Sequence, residues 1–298
     1  MRIPLGSDCA TDTDRGLDGL YHTAQEKIWD GREVLEDLFK KYEDFEIDVE
    51  SISPLKNILS IILWGEYAAW SVSSELSAQF EDYGAKAAAV SQAHDEARHF
   101  YVIRDYIKRR FGDITTRPKK PALRVLEKVG DAESLAKKLL GMQLMIEPVA
   151  ITIFRFLRKS EVDPILVELL EYFEKDEARH IALGVKYLPK LLKEMSGVQL
   201  VDFLWWQIRL IIDEIRGLKA IESDLVELGL DPKEVFEFAE KKQLHCLKML
   251  SAEMGINDNL WRPLIGIIRF KKQLSFYPRS DHNIFKKIIN SLFEKSTN

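Results

Sequence analysis

The sequence predicts an all-α fold. Apolar residues recur at three- and four-residue spacing along nearly every long segment, and alternating apolar and polar runs flanked by hairpin turns are missing. Ser53-Pro54, Asp163-Pro164 and Asp231-Pro232 each set a capping side chain before a proline at the first helical position, where the missing N–H would have no partner anyway.

Taken in chain order, these signals place helices at about 54–80, 86–111, 134–159, 164–193, 198–228 and 232–254, with shorter ones flanking them at both ends. The first opens at Ser53-Pro54 and stops at the turn-like FEDYG. The second runs into FGDITTRPKKPALR, 111–124, whose two prolines suit a long crossover. The third carries Glu147-Pro148, a position without a backbone donor, which predicts a kink or a π-bulge. The fourth opens at Asp163-Pro164. The fifth, with Trp205-Trp206, reads as a buried helix packed on the others, and the sixth opens at Asp231-Pro232 with Glu234 as its capping-box partner. No composition break divides the chain. Residues 1–298 therefore read as one domain, with a bundle over 54–193 and additional packing helices over 194–298.

Composition excludes several roles. A net charge of −5 over 298 residues gives no electrostatic reason to bind nucleic acid or an anionic membrane. Two cysteines, Cys9 and Cys246, lack Cys-x-x-Cys spacing, so neither a disulfide framework nor a zinc ribbon is available. The start, MRIPLGSDCATDTD, has no signal-peptide core, and the longest apolar runs, such as ILSIILW, are too short for a bilayer. The expectation is a soluble, cytoplasmic protein.

The pentapeptide DEARH occurs twice, at 95–99 and 176–180. On a helix, Glu96 and His99, and likewise Glu177 and His180, project from one face about a turn apart and make a chelating pair. Thirty residues before each pair's glutamate stands another, Glu66 before Glu96 and Glu147 before Glu177, both in apolar surroundings where an unpaired carboxylate is costly. The midpoints fall in FEDYG and SEVDP, both turn-like. Residues equidistant from a hairpin turn lie at one height, roughly 22 Å below it at 1.5 Å per residue. Two such hairpins gather four Glu and two His at the centre of a four-helix bundle. Four carboxylates balance two divalent ions, and imidazole suits iron or manganese.

This pattern resembles the ferritin-like superfamily of dinuclear metal carboxylate proteins, in the branch that contains the ribonucleotide reductase small subunit, multicomponent monooxygenase hydroxylases and acyl-carrier-protein desaturases. The matching stretch is about 54–193, and the resemblance implies a ferritin-like four-helix bundle with additional flanking helices. It implies Glu66, Glu96, His99, Glu147, Glu177 and His180 as ligands of two metal ions (Fe/Fe or Mn/Fe), with Asp95 and Asp176 hydrogen-bonded to the metal-bound histidines. It further implies O2 as cosubstrate and an oxidase or oxygenase, such as a monooxygenase, that hydroxylates, desaturates or N-oxygenates a small, apolar organic substrate. Electrons are expected to come from an external donor, a reductase or ferredoxin, because the chain carries no flavin or nicotinamide fingerprint and no cysteine cluster. A homodimer is expected.

Departures narrow the branch. The radical tyrosine of reductase small subunits corresponds to Ile103, with Tyr101 and Tyr106 in other positions, and SLFEKSTN at the C-terminus lacks a docking tyrosine. The Val-Tyr cross-link of related ligand-binding oxidases would fall on Ala68 and Met142, and the hydroxylase threonine on Ile151, beside Thr152. The alternatives are a radical-generating small subunit of ribonucleotide reductase, or an iron-detoxifying ferroxidase. Arg98 and Arg179 read as ion-pair partners within the bundle. Ala69, Met142, Met145, Ile146 and Ile151 are candidates to line an apolar pocket, and Trp29, Trp64 and Trp70 fit core packing better than electron transfer.

Overall fold

The computed structural model describes residues 15–112 and 117–257, together with 261, 265, 266, 269 and 270. Cys9, His282, part of the crossover and SLFEKSTN lie outside the described residues. Among the described residues every regular element is helical: α1 (Arg15–Glu26), α2 (Gly31–Lys41), α3 (Val49–Gln79), α4 (Tyr83–Phe111), α5 (Lys120–Gly130), α6 (Leu135–Leu139), a π-helix (Leu140–Ile146), α7 (Glu147–Ser160), α8 (Pro164–Lys193), α9 (Gly197–Ala220), α10 (Glu222–Glu227) and α11 (Pro232–Met254).

Two helical hairpins form the bundle. The chain reverses between Gln79 and Tyr83, and again between Ser160 and Pro164, so both turns fall at the midpoints of the glutamate pairs. Asp82 caps α4 by accepting from the Ala85 N–H at 2.8 Å, and Asp231 caps α11 by accepting from Lys233 at 2.8 Å. Leu59 and Leu76 of α3, Ile103 of α4, Phe154 of α7 and Phe173 of α8 are fully buried between the hairpins. Outside them, α1 and α2 lie on α4 and α8, α5 and α9 pack together, α5 touches α3, and α11 lies on α7 and α8.

Several boundaries differ from expectation. α3 begins at Val49, so Pro54 sits inside the helix; the carbonyl it fails to engage belongs to Glu50, an exposed residue whose carbonyl water can reach. The crossover is shorter than 111–124, because α5 already starts at Lys120 with a proline in its first turn. The fifth helix breaks at Ile221, whose side chain is buried at the corner, and apolar spacing alone does not register a one-residue break. Glu234 pairs with Lys159 at 3.2 Å. Trp206 is buried as expected, whereas Trp205 is 58% exposed.

The third helix contains the distortion that Pro148 predicts. The Glu147 N–H reaches five residues back to the Met142 carbonyl, and the π-turn lies directly before the proline. The continuous stretch Leu135–Ser160 is long and apolar enough to cross a membrane by length and composition, which reading short apolar runs had missed; 72% of its most apolar window is buried within the protein. Opposite it, Gly184 lets α8 approach closely: a Cβ there would stand 2.6 Å from the Gln143 Cβ.

Asp163 locks the second hairpin to the first. Fully buried at the start of α8, it accepts from the Tyr106 hydroxyl at 2.7 Å, from Arg110 at 2.7 and 3.1 Å, and from the Ile165 N–H at 2.9 Å. Asp163→Ala leaves Arg110 and Tyr106 without their acceptor, and we predict a loss of about 3–5 kcal/mol in unfolding free energy. Chemical denaturation measures it; a loss below about 1 kcal/mol would mean that the cluster contributes no more than an ordinary cap.

Candidate metal centre

Six ionisable side chains meet where the two hairpins face each other. Glu66 comes from α3, Glu96 and His99 from α4, Glu147 from the first residue of α7, and Glu177 and His180 from α8. None is more than 5% exposed, so their charges must be balanced within the protein. They form two interlocking clusters, Glu66, Glu96, His99 and Glu177 on one side and Glu96, Glu147, Glu177 and His180 on the other, with donor atoms of each within 4.8 Å of one another. Glu96 and Glu177 belong to both.

The histidines aim one nitrogen inward and the other outward. His99 Nδ1 lies 3.3 Å from Glu66 Oε2, 3.6 Å from Glu96 Oε2 and 3.4 Å from Glu177 Oε1. His180 Nδ1 lies 2.9 Å from both Glu96 Oε1 and Glu177 Oε2, and 3.7 Å from Glu147 Oε1. Each central carboxylate thus offers one oxygen to each cluster. Behind the rings, His99 Nε2 lies 3.1 Å from Asp176 Oδ2, and His180 Nε2 lies 3.5 Å from Asp95 Oδ2. The two aspartates sit where the repeated pentapeptide suggested, but each serves the histidine of the opposite half.

Arg98 and Arg179 complete that crossing. Arg98 reaches Asp95 at 2.6 Å and Asp176 at 2.9 Å, and Arg179 reaches Asp176 at 2.7 Å and Asp95 at 2.9 Å. Trp29, between α1 and α2, donates its indole N–H to Asp176 at 2.9 Å and lies under the Arg98 guanidinium at 4.6 Å. Trp29, Asp176 and His99 therefore form one hydrogen-bonded chain leading inward from a partly exposed residue.

Two groups escaped the sequence reading. Gln92 Nε2 lies 3.1 Å from Glu147 Oε1 and 3.3 Å from Glu96 Oε1, while Gln92 Oε1 accepts from Gln143 at 3.1 Å. Each glutamine stands four residues before a cluster glutamate, a spacing that puts it one turn away on the same face. Thr152 turns from the site and bonds the Pro148 carbonyl at 2.7 Å.

Electrostatics divide the six. Burial pushes Glu66 and Glu147 upward, and for Glu147 the charges of Glu177 and Glu96 add to it. Burial also acts to raise Glu96 and Glu177, but the facing histidines outweigh it and hold both carboxyls below their usual range. Burial opposes charge on His99 and His180, yet the surrounding carboxylates raise both well above an ordinary histidine. Without metal, the cluster therefore favours protons on the two histidines and on Glu66 and Glu147, against the charge of Glu96 and Glu177. Two divalent cations would balance the four carboxylates in place of those protons. The donor set suits such ions, and His99 Nδ1 and Glu96 Oε2 are buried without a hydrogen-bond partner.

A cavity of about 100 Å³ adjoins the outer glutamates, Glu66 and Glu147, with mainly apolar walls from α3, α5, α7 and α9. Of the expected lining residues, Ala69 and Ile146 face it; Met142, Met145 and Ile151 do not.

No protein-family model and no curated protein matches this chain. Solved structures do. A protein with aldehyde deformylating oxidase activity from Synechococcus superposes with a TM-score of 0.58 at 15% identity, covering 70% of this chain and 94% of its own. A variant of an R2-like ligand-binding oxidase with an aerobically reconstituted Mn/Fe cofactor gives 0.58 at 15% identity, over 85% of this chain and 97% of its own. The same kind of oxidase after photoconversion gives 0.52 at 14% identity, over 92% and 98%. At such identities the shared property is the fold, a ferritin-like helical bundle.

Calorimetric titration of metal-free protein with Mn(II) in buffers of different ionisation enthalpy checks the proton balance. Proton release is expected, with affinity rising as pH rises through the range where His99 and His180 lose their protons. Asp176→Asn, which weakens the hold on His99, is expected to lower affinity about 10- to 100-fold. Metal uptake without proton release would contradict the raised proton affinity of these four groups.

Proposed function

We propose that the chain is an O2-activating dinuclear metal oxidase or oxygenase acting on a small organic substrate. The observation that carries this reading is the pair of clusters sharing Glu96 and Glu177, with an apolar cavity against their outer glutamates. Glu66, Glu96, His99, Glu147, Glu177 and His180 would hold two ions, Fe/Fe or Mn/Fe, and a reduced pair of this kind supplies the electrons and open positions that O2 chemistry needs.

The chain's own groups prepare that chemistry. Asp95 and Asp176 fix both rings with Nδ1 inward, and the two arginines hold the aspartates. Gln92 keeps the Glu147 carboxylate oriented beside the cavity. The apolar walls exclude water from the place where the substrate would lie. Electrons from an external reductase or ferredoxin have an entry at Trp29, whose hydrogen-bonded contact with Asp176 and His99 favours a relay role beyond packing. The oxidase identities of the structural neighbours support this reading. A homodimer is part of the proposal: Trp64, Tyr67 and Trp70 form an exposed aromatic strip on α3 that a second copy would cover, and sedimentation velocity reads the assembly.

Ile103, fully buried among core side chains, gives the radical-subunit reading no tyrosine where its relatives carry one. Anaerobic protein loaded with Fe(II), or with Mn(II) and Fe(II), is expected to take up two ions per chain and to consume O2 on mixing. Glu177→Ala removes an oxygen donor from both clusters and is expected to abolish uptake of both gas and metal. Protein that retains neither iron nor manganese would refute the proposal.

A further inference from the structure

The cavity holds one polar group that the metal centre leaves unused. Glu214, on α9, lies in its wall and is 7% exposed. Its Oε2 accepts from Gln243 Nε2 at 2.9 Å, and the same nitrogen donates to the Met145 carbonyl at 3.0 Å, in the π-helix. Its Oε1 is buried without a partner. The carboxylate is therefore held from one side by a side chain anchored on the backbone, with its second oxygen unengaged.

Its neighbour shows the contrast. Asp213, one residue earlier, is paired with Lys128 and with Arg216 at 3.0 Å, whereas among the described residues no cation pairs with Glu214. Two divalent ions would balance the four carboxylates of the metal centre, which leaves Glu214 as the cavity carboxyl with no paired cation among the described residues. Burial raises its carboxyl to about 7, against the opposing hydrogen bond from Gln243 and with some help from Asp213. A buried acceptor of this kind, costly unless matched, is how an apolar pocket fixes the orientation of its ligand.

We propose that Glu214 recognises the substrate, accepting a hydrogen bond from the protonated nitrogen of a small apolar amine. The rest of the molecule would extend along the apolar walls toward Glu66 and Glu147. An alcohol would satisfy the free oxygen but bring no countercharge, and a carboxylic acid would set a second negative charge beside the first. The cavity's volume of about 100 Å³ and its apolar walls suit a short alkyl chain, for which heptylamine serves as the probe.

This inference rests on the oxidase reading for the placement of the reacting end, but its test does not. Protein incubated anaerobically with Fe(II), or with Mn(II) and Fe(II), is titrated with heptylamine, 1-heptanol and heptanoic acid, using wild type, Glu214→Gln and Glu214→Asp, with metal content and O2 uptake measured on the same samples. Heptylamine is expected to bind about tenfold to hundredfold more tightly than heptanol. Glu214→Gln should erase that margin while leaving heptanol affinity unchanged, and Glu214→Asp should keep the preference for the amine. Equal affinity for amine and alcohol, tightest binding of the acid, or an unchanged margin in Glu214→Gln would overturn the inference. Full metal loading and O2 uptake without amine preference would remove this inference alone. Amine preference without metal or O2 uptake would uphold Glu214 and remove the oxidase reading.

Discussion

Four carboxylates and two imidazoles are buried at the centre of this bundle, and they require four balancing positive charges. The aspartates, arginines and glutamines nearest the site are arranged around that requirement. Glu96 and Glu177 lie between the two histidines, so whatever supplies the positive charge, protons or metal ions, is shared across the hairpins. A site with this charge demand cannot be assembled from one hairpin, because each histidine finds its nearest counter-charges on both.

The outer ring of charges follows the same logic one layer farther out. Asp176 from α8 supports His99 on α4, Asp95 from α4 supports His180 on α8, and each arginine bridges both aspartates. Buried ion pairs are weak evidence for net stability, since desolvation offsets much of their attraction. Their effect here is on register: a helix shifted by one turn would leave two aspartates and two arginines unmatched. Phe173 adds a directional constraint by stacking on the His99 ring with centroids 4.0 Å apart. The distortion at Leu140–Ile146 belongs to the same arrangement, because the π-turn lies directly before Glu147 and its Met145 carbonyl accepts from Gln243.

The bundle was legible because its signals are local or symmetric. Helical periodicity follows from burying one face, the Asp163 and Asp231 caps act on their own first turns, and the repeated Glu and Glu-x-x-His reflect through turns that hold their own sequence signatures. Other features were hidden for physical reasons. The start of α3 ahead of Pro54 depends on solvent satisfying an exposed carbonyl, and the break at Ile221 depends on a side chain finding a buried corner. Gln92 and Gln143 carry no charge and no chelating spacing, so only their meeting between α4 and the π-helix reveals them. Trp29 reads as core by spacing, and its contact with Asp176 spans 147 residues of sequence.

By itself, then, the sequence determined the helical class, the two hairpins and the six residues that meet between them, because charge that is costly to bury must be matched and matching leaves a repeat. The tertiary structure decided which aspartate serves which histidine, that Glu96 and Glu177 are the shared pair, and that α5 and α9 close a cavity against Glu66 and Glu147. It also decided that Glu214, ordinary in a charged helix, lies in the wall of that cavity and has a buried oxygen without a hydrogen-bond partner. These outcomes depend on how helices distant in sequence pack, and packing is fixed by shape and solvent exclusion among many side chains together, which spacing along one chain does not encode.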